Sequence, residues 1–168
     1  MFKLFKKKER VECGGKVEYY VKGLKDEIKS NNIVKFDYSC EYLRLLAELI
    51  DNKLHIEIRR GSHKDFSNNE ILVDYSKKDT KFLKELNDFI IDHNLSRDNG
   101  HVYKISGLIP YLEEELEVIY DTEEKIYKMT NRNFVLGDDE VRSLIDLFIS
   151  KANNDGYKIT RDDLHFKD

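Results

Sequence analysis

Residues 33–40, IVKFDYSC, alternate between side chains that avoid water and side chains that seek it. Val34, Phe36, Tyr38 and Cys40 fall on one side of an extended chain; Lys35, Asp37 and Ser39 fall on the other. A period of two does not map onto one face of a helix, so the stretch is read as a strand with one dry and one wet face. Residues 54–60, LHIEIRR, repeat the pattern, with Leu54, Ile56 and Ile58 opposed to His55, Glu57 and Arg59. Between them, EYLRLLAELI fits two templates. Tyr42, Leu45, Leu46, Leu49 and Ile50 make a helical stripe, whereas Leu43, Leu45, Ala47 and Leu49 alternate. The Asp51-Asn52-Lys53 turn runs straight into the next alternating stretch, which favours a hairpin over the competing helix.

Further strand-like runs are VEYYV (17–21), EILVDYS (70–76), HVYKIS (101–106), LEVIYD (116–121) and KIYKMT (125–130), with YKI (157–159) closing the chain's ordered part. Leu24 and Ile28, four apart in KGLKDEIKSNN, allow a helical turn. Two segments have helical period. One starts at Asp79 or Thr80, aligns Leu83, Leu86, Phe89 and Ile90, and stops near Asn94. The other opens on Asp138-Asp139, aligns Val141, Leu144, Ile145, Phe148 and Ala152, and ends at Gly156. The expected fold is α+β: one domain with a largely antiparallel sheet of about six or seven strands and two helices, about 79–94 and 138–155, on one face. A chain of 168 residues suits one domain, and 9 Phe with 10 Tyr supply a core without disulfides or metals. Residues 1–16 read as a basic tail, 17–160 as the domain and 161–168 as a polar tail.

Charge narrows the function. The first ten residues carry five basic side chains against Glu9, so the rest is more acidic than the net −4 of the whole. Dispersed basic residues and the lack of a nucleic-acid-binding motif argue against nucleic acid. No run of apolar residues is long enough for a leader or a membrane span, which points to the cytoplasm. Phe2, Leu4 and Phe5 among the lysines permit at most weak membrane-surface contact by residues 1–10. Cys13 and Cys40 lack metal spacing, as do His55, His63, His93, His101 and His165, so neither metal nor cofactor is expected. The glutamates of YLEEELE read as a solvated run.

The most site-like loop is RRGSHKD (59–65). Arg59 and Arg60 match a carboxylate or phosphate, with His63 beside them. Ser62, His63 and Asp65 are too close in sequence to converge as a triad. The other candidates are Tyr120 and Tyr127, exposed tyrosines flanking the acids 121–124 of VIYDTEEKIYKMTN, which reads as a hairpin whose acids are solvated turn residues.

The succession IKSNNIVKFDYS, NG with SGLIP, IYDTEEKIYKMTNRNF, a helix and NNDGYKI resembles a group of small bacterial proteins of unknown function. Their Tyr-x-[SD]-[GE]-E-K-[IL]-Y pattern corresponds to Tyr120–Tyr127, with Glu124, Lys125 and Asn131. Thr122-Glu123 replaces the usual Ser-Gly, and the acidic run before Val118 is longer. The resemblance spans about residues 23–159 and implies a self-contained domain, with no activity attached.

The leading expectation is a non-catalytic module that binds a protein or a small ligand. The alternatives are an immunity or antitoxin-like neutraliser of a toxic partner, and a hydrolase-like enzyme using His55 or His63.

Overall fold

The structure is a computed structural model that describes residues 15–61, 70–105, 113–132 and 134–164. Eight strands form one sheet: β1 (Lys16–Tyr20), β2 (Ile33–Cys40), β3 (Leu43–Ile50), β4 (Lys53–Arg60), β5 (Glu70–Lys77), β6 (His101–Ile105), β7 (Glu114–Tyr120) and β8 (Lys125–Thr130). Their order is β1-β6-β8-β7-β2-β3-β4-β5. Every neighbouring pair is antiparallel except β6 with β8. The helices are α1 (Lys81–Asp92) and α2 (Asp138–Asn154). This is the expected α+β class, with eight strands where about six or seven were expected.

Within residues 41–50, Leu43–Ile50 are strand and Glu41-Tyr42 are the turn before it, because the hairpin register satisfies both faces at once. Leu45 pairs with Tyr38 and Ile58, so all three enter the core together. The β3–β4 turn is two residues, Asp51 and Asn52, both at positive φ. That turn matches the twist of the strands, and its left-handed conformation is tolerated by short Asp and Asn side chains.

Several expectations are corrected. A bulge between Ile33 and Lys35 shifts the start of β2, so Ile33 is buried in place of Val34. Residues 157–159 form no strand. Asn153 instead holds both backbone groups of Ile159 through its amide, and the chain continues into a 3-10 turn, Arg161–Leu164. Leu164 is buried, so packing extends into the stretch read as a polar tail. No helical turn forms around Leu24 and Ile28.

β7 and β8 form the expected hairpin, and Asp121 and Glu123 in its turn are exposed as read, but two of the turn's acids are also bonded. Asp121 accepts from the Ser30 hydroxyl and the Asn32 amide, and Glu124 accepts from the backbone N–H of Lys29 and Ser30. These bonds hold both carboxyls below their ordinary range. They fasten the chain entering β2. Immediately before β6, Gly100 is at φ +85, and a Cβ there would lie 3.1 Å from the carbonyl oxygen of Val21. Only glycine fits that approach.

Both helices cover one face. Phe148 of α2 lies over Phe36 of β2 and meets Phe82 of α1 edge to face, with centroids 5.0 Å apart. Among the described residues, the opposite face bears no helix, and it is crossed by alternating charges on five strands. Lys125 meets Glu117, Glu117 meets Lys35, Lys35 meets Asp37, Asp37 meets Arg44, Arg44 meets Glu57, and Glu57 meets Arg59. Such a mixed polar face keeps its strands wet without a large patch of one sign.

Phe148 joins the two helices to the sheet. Phe148→Ala is expected to lower unfolding free energy by about 3–5 kcal/mol, the range for truncating a buried aromatic. Urea denaturation of the two proteins measures it, and a loss below about 1 kcal/mol would contradict this packing account.

Candidate functional site

At the end of the sheet where β2, β6 and β8 finish and β3 and β7 begin, the first two turns of α2 overhang an open cleft of about 1020 Å³. Tyr38, Cys40, Glu114, Asn131, Ile145 and Leu164 line its depth and are all buried. Tyr42, Ile105 and Val141 are half-buried, and the mouth carries Glu41, Arg132, Phe134, Asp138, Arg142 and Arg161.

Glu114 is the site's central polar group. It is 6% exposed and lies in phase with Leu116, Val118 and Tyr120 along β7, so the pleat that buries them buries it too. One carboxylate oxygen accepts from the Tyr38 hydroxyl at 2.8 Å and from the Leu136 N–H at 3.0 Å; the other accepts from the Val135 N–H at 2.9 Å. Burial, reinforced by the nearby Asp138 charge, raises the Glu114 pKa despite these three donors. The bonds anchor the chain immediately before α2. Asn131 plays a comparable role at the neighbouring strand end, where its side-chain amide engages both backbone groups of Ile105.

The other protic groups of the depth are held neutral. Burial pushes the Cys40 thiol up to about 11 and the Tyr42 hydroxyl to about 12, and drives Tyr38 higher still. A thiolate or phenolate nucleophile is therefore not prepared here. At the mouth, Arg161 is spent on Asp146, which it grips through both forks of its guanidinium. Among the described residues, the side chains of Glu41, Arg132, Asp138 and Arg142 have no ion-pair or hydrogen-bonding partner. The described residues include no cluster of three or more His, Cys, Asp or Glu placed to hold a metal ion.

The residues singled out from sequence lie elsewhere. Arg59 is on the helix-free face and donates to Glu57. Arg60 is tied to Glu70 and to the backbone carbonyl of Asp163, so it fastens the terminal 3-10 turn. His63 falls outside the described residues. Tyr120, expected to be exposed, is 2% exposed and belongs to the core, because Val118 and Tyr120 share the helix-covered face. Tyr127 is half-buried on the other face, with the Lys125 ammonium 5.0 Å from its ring centre. Arg59 and Tyr127 stand four strands apart, so no common site unites them. Of the described histidines, His55 lies near Asp74, His93 near Glu140 and His101 near Glu18, and none lines the cleft.

Sequence reasoning took Glu114 as solvated, although its phase with Leu116, Val118 and Tyr120 was the available signal. Glu41, Arg132, Asp138 and Arg142 had no comparable signal, since their convergence depends on strand order. Compared with protein-family models, with curated proteins and with solved structures, the chain matches none. Among the described residues, no helix is long and apolar enough to cross a membrane.

A carboxyl whose pKa is raised on folding contributes most stability when protonated, and that contribution is lost as pH rises through the folded value. The stability of the wild type relative to Glu114→Gln is therefore expected to increase as pH is lowered from 8 towards the unfolded carboxyl range, about 4.3. Urea midpoints of both proteins across that window report it, and a pH-independent difference would refute the assignment. Glu114→Ala, which strands three donors, is expected to cost about 3 kcal/mol at neutral pH.

Proposed function

We propose that this chain is a non-catalytic binding protein whose cleft receives a small organic ligand with an apolar body. The observation that carries this reading is the cleft's composition: a largely apolar interior beneath a mouth where Glu41, Arg132, Asp138 and Arg142 have no side-chain partner among the described residues. Ligand sites are typically concave and mostly apolar, with a few polar groups that orient the guest, in volumes of roughly 300–1,000 Å³. The rigidity of the surroundings favours recognition over chemistry. Glu114 has its oxygens occupied by three donors, and Cys40 and Tyr42 rest in their neutral forms. Phe134, 78% exposed at the mouth, is an apolar side chain with little to cover it in the free protein.

The amphipathic dye 8-anilinonaphthalene-1-sulfonate tests this reading at neutral pH. It is expected to bind the folded protein with one-to-one stoichiometry, and its amide shift changes should centre on Tyr42, Val141 and Phe134. Phe134→Ala and Val141→Lys, both outside the fully buried core, should each weaken binding about tenfold, or about 1.4 kcal/mol. Dye binding that maps elsewhere, or is indifferent to both substitutions, would remove the cleft as the binding site.

A further inference from the structure

The unpartnered charges at the mouth are not randomly mixed. Arg132 follows β8, whereas Glu41 sits in the turn joining β2 to β3. In the sheet order β8-β7-β2-β3 these positions are two to three strand spacings apart, about 10–14 Å. Asp138, the first residue of α2, stands over the middle of this line: its charge acts on Tyr42, next to Glu41, and also on Glu114 at the start of β7. Even with Arg142, one helical turn further along α2, set against one of them, Glu41 and Asp138 leave the Tyr42 side of the mouth negative. The Arg132 side keeps a positive charge. Between the two poles lies the apolar depth formed by Tyr38, Ile145 and Leu164.

We infer that the cleft selects an extended zwitterion, with an ammonium group at Glu41 and Asp138 beside the Tyr42 ring, an apolar middle over Tyr38 and Ile145, and a carboxylate on Arg132. This rests on the proposed binding role of the cleft and adds the class of ligand. An ammonium is attracted both by carboxylates and by the face of an aromatic ring, while a guanidinium fork matches a carboxylate. A purely anionic guest leaves Glu41 and Asp138 uncompensated, and a purely cationic one leaves Arg132 so. Like charges facing a ligand count against the wrong guest as much as matched charges favour the right one. Linear ω-amino acids and short peptides with free termini have the required form.

The test is an amide-detected NMR titration of the full chain with 8-aminooctanoate, octanoate and octylamine at pH 7. 8-Aminooctanoate is expected to bind about tenfold more tightly than either singly charged chain, with shift changes at both Glu41–Tyr42 and Arg132. Arg132→Gln should reduce its affinity about tenfold, to that of octylamine, and the Glu41→Gln, Asp138→Asn double variant should reduce it to that of octanoate. All three positions are exposed, so folding is not at stake. Octanoate or octylamine binding as tightly as 8-aminooctanoate overturns the inference, as does an affinity unmoved by these substitutions. If none of the three chains binds while the anilinonaphthalene dye still occupies the cleft, the zwitterion assignment falls and the binding reading survives. Failure of the dye as well removes both.

Discussion

Glu114 is withdrawn from water and given three donors in its place, and the position of α2 follows from that exchange. A buried carboxylate without partners would cost several kcal/mol, so the Tyr38 hydroxyl and the N–H groups of Val135 and Leu136 must reach it. Two of those donors belong to the backbone just before α2, and the third stands on β2. Once they are engaged, α2 starts over the β7–β2 seam. Phe148 then lies above Phe36 and against Phe82. The same junction leaves open ground under the first turns of α2, between the end of β8 and the β2–β3 turn. The cleft is thus a consequence of how the helix is tied down.

The two faces of the sheet are stabilised by different physics, and their magnitudes differ. On the helix-covered face, residues such as Leu45, Ile56, Ile58, Leu116 and Ile126 are fully buried, each worth about 1.5–3 kcal/mol. On the other face the chain of ion pairs from Lys125 to Arg59 is partly solvated, and pairs of that kind contribute about 0–1 kcal/mol apiece. The core therefore decides stability, and the charges decide that this face remains hydrated and in register. At the far end of α2, Asp155 unites β5 with both helices: it accepts from Tyr75, Lys77 and Lys151, and Lys151 also reaches Asp79 ahead of α1. Burial pushes the Asp155 carboxyl up, but these three donors outweigh it and hold it at about 2.

Much of this architecture was legible in the chain because it depends on period. The alternation of Phe36, Tyr38 and Cys40, of Leu43, Leu45 and Ala47, and of Leu54, Ile56 and Ile58 places each set on the dry face. The stripes of Leu83, Leu86, Phe89 and Ile90, and of Leu144, Ile145, Phe148 and Ala152, do the same for the helices. Reading failed where charge was equated with exposure. Glu114 is buried in spite of its charge; Asp121 stays exposed as read, but its bonds and those of Glu124 to residues 29–32 have no signature in the turn itself. It failed in the opposite sense at Tyr120, whose hydroxyl suggested a surface and whose phase put it inside.

What the sequence determined by itself is the set of elements and the face each one buries, because hydrophobic period is a local property that the chain carries residue by residue. Tertiary structure alone decided how the hairpins and the remaining strands are ordered in the sheet, and so which ends meet. Arg132 and Glu41 are separated by ninety-one positions and by most of the fold's connections, yet antiparallel pairing of β7 with both β8 and β2 brings them to one end of the sheet. Their relation to Asp138 depends in turn on the Glu114 junction. A site assembled from strand ends and a helix start has no local signature, since the forces that gather it act between segments distant in the chain.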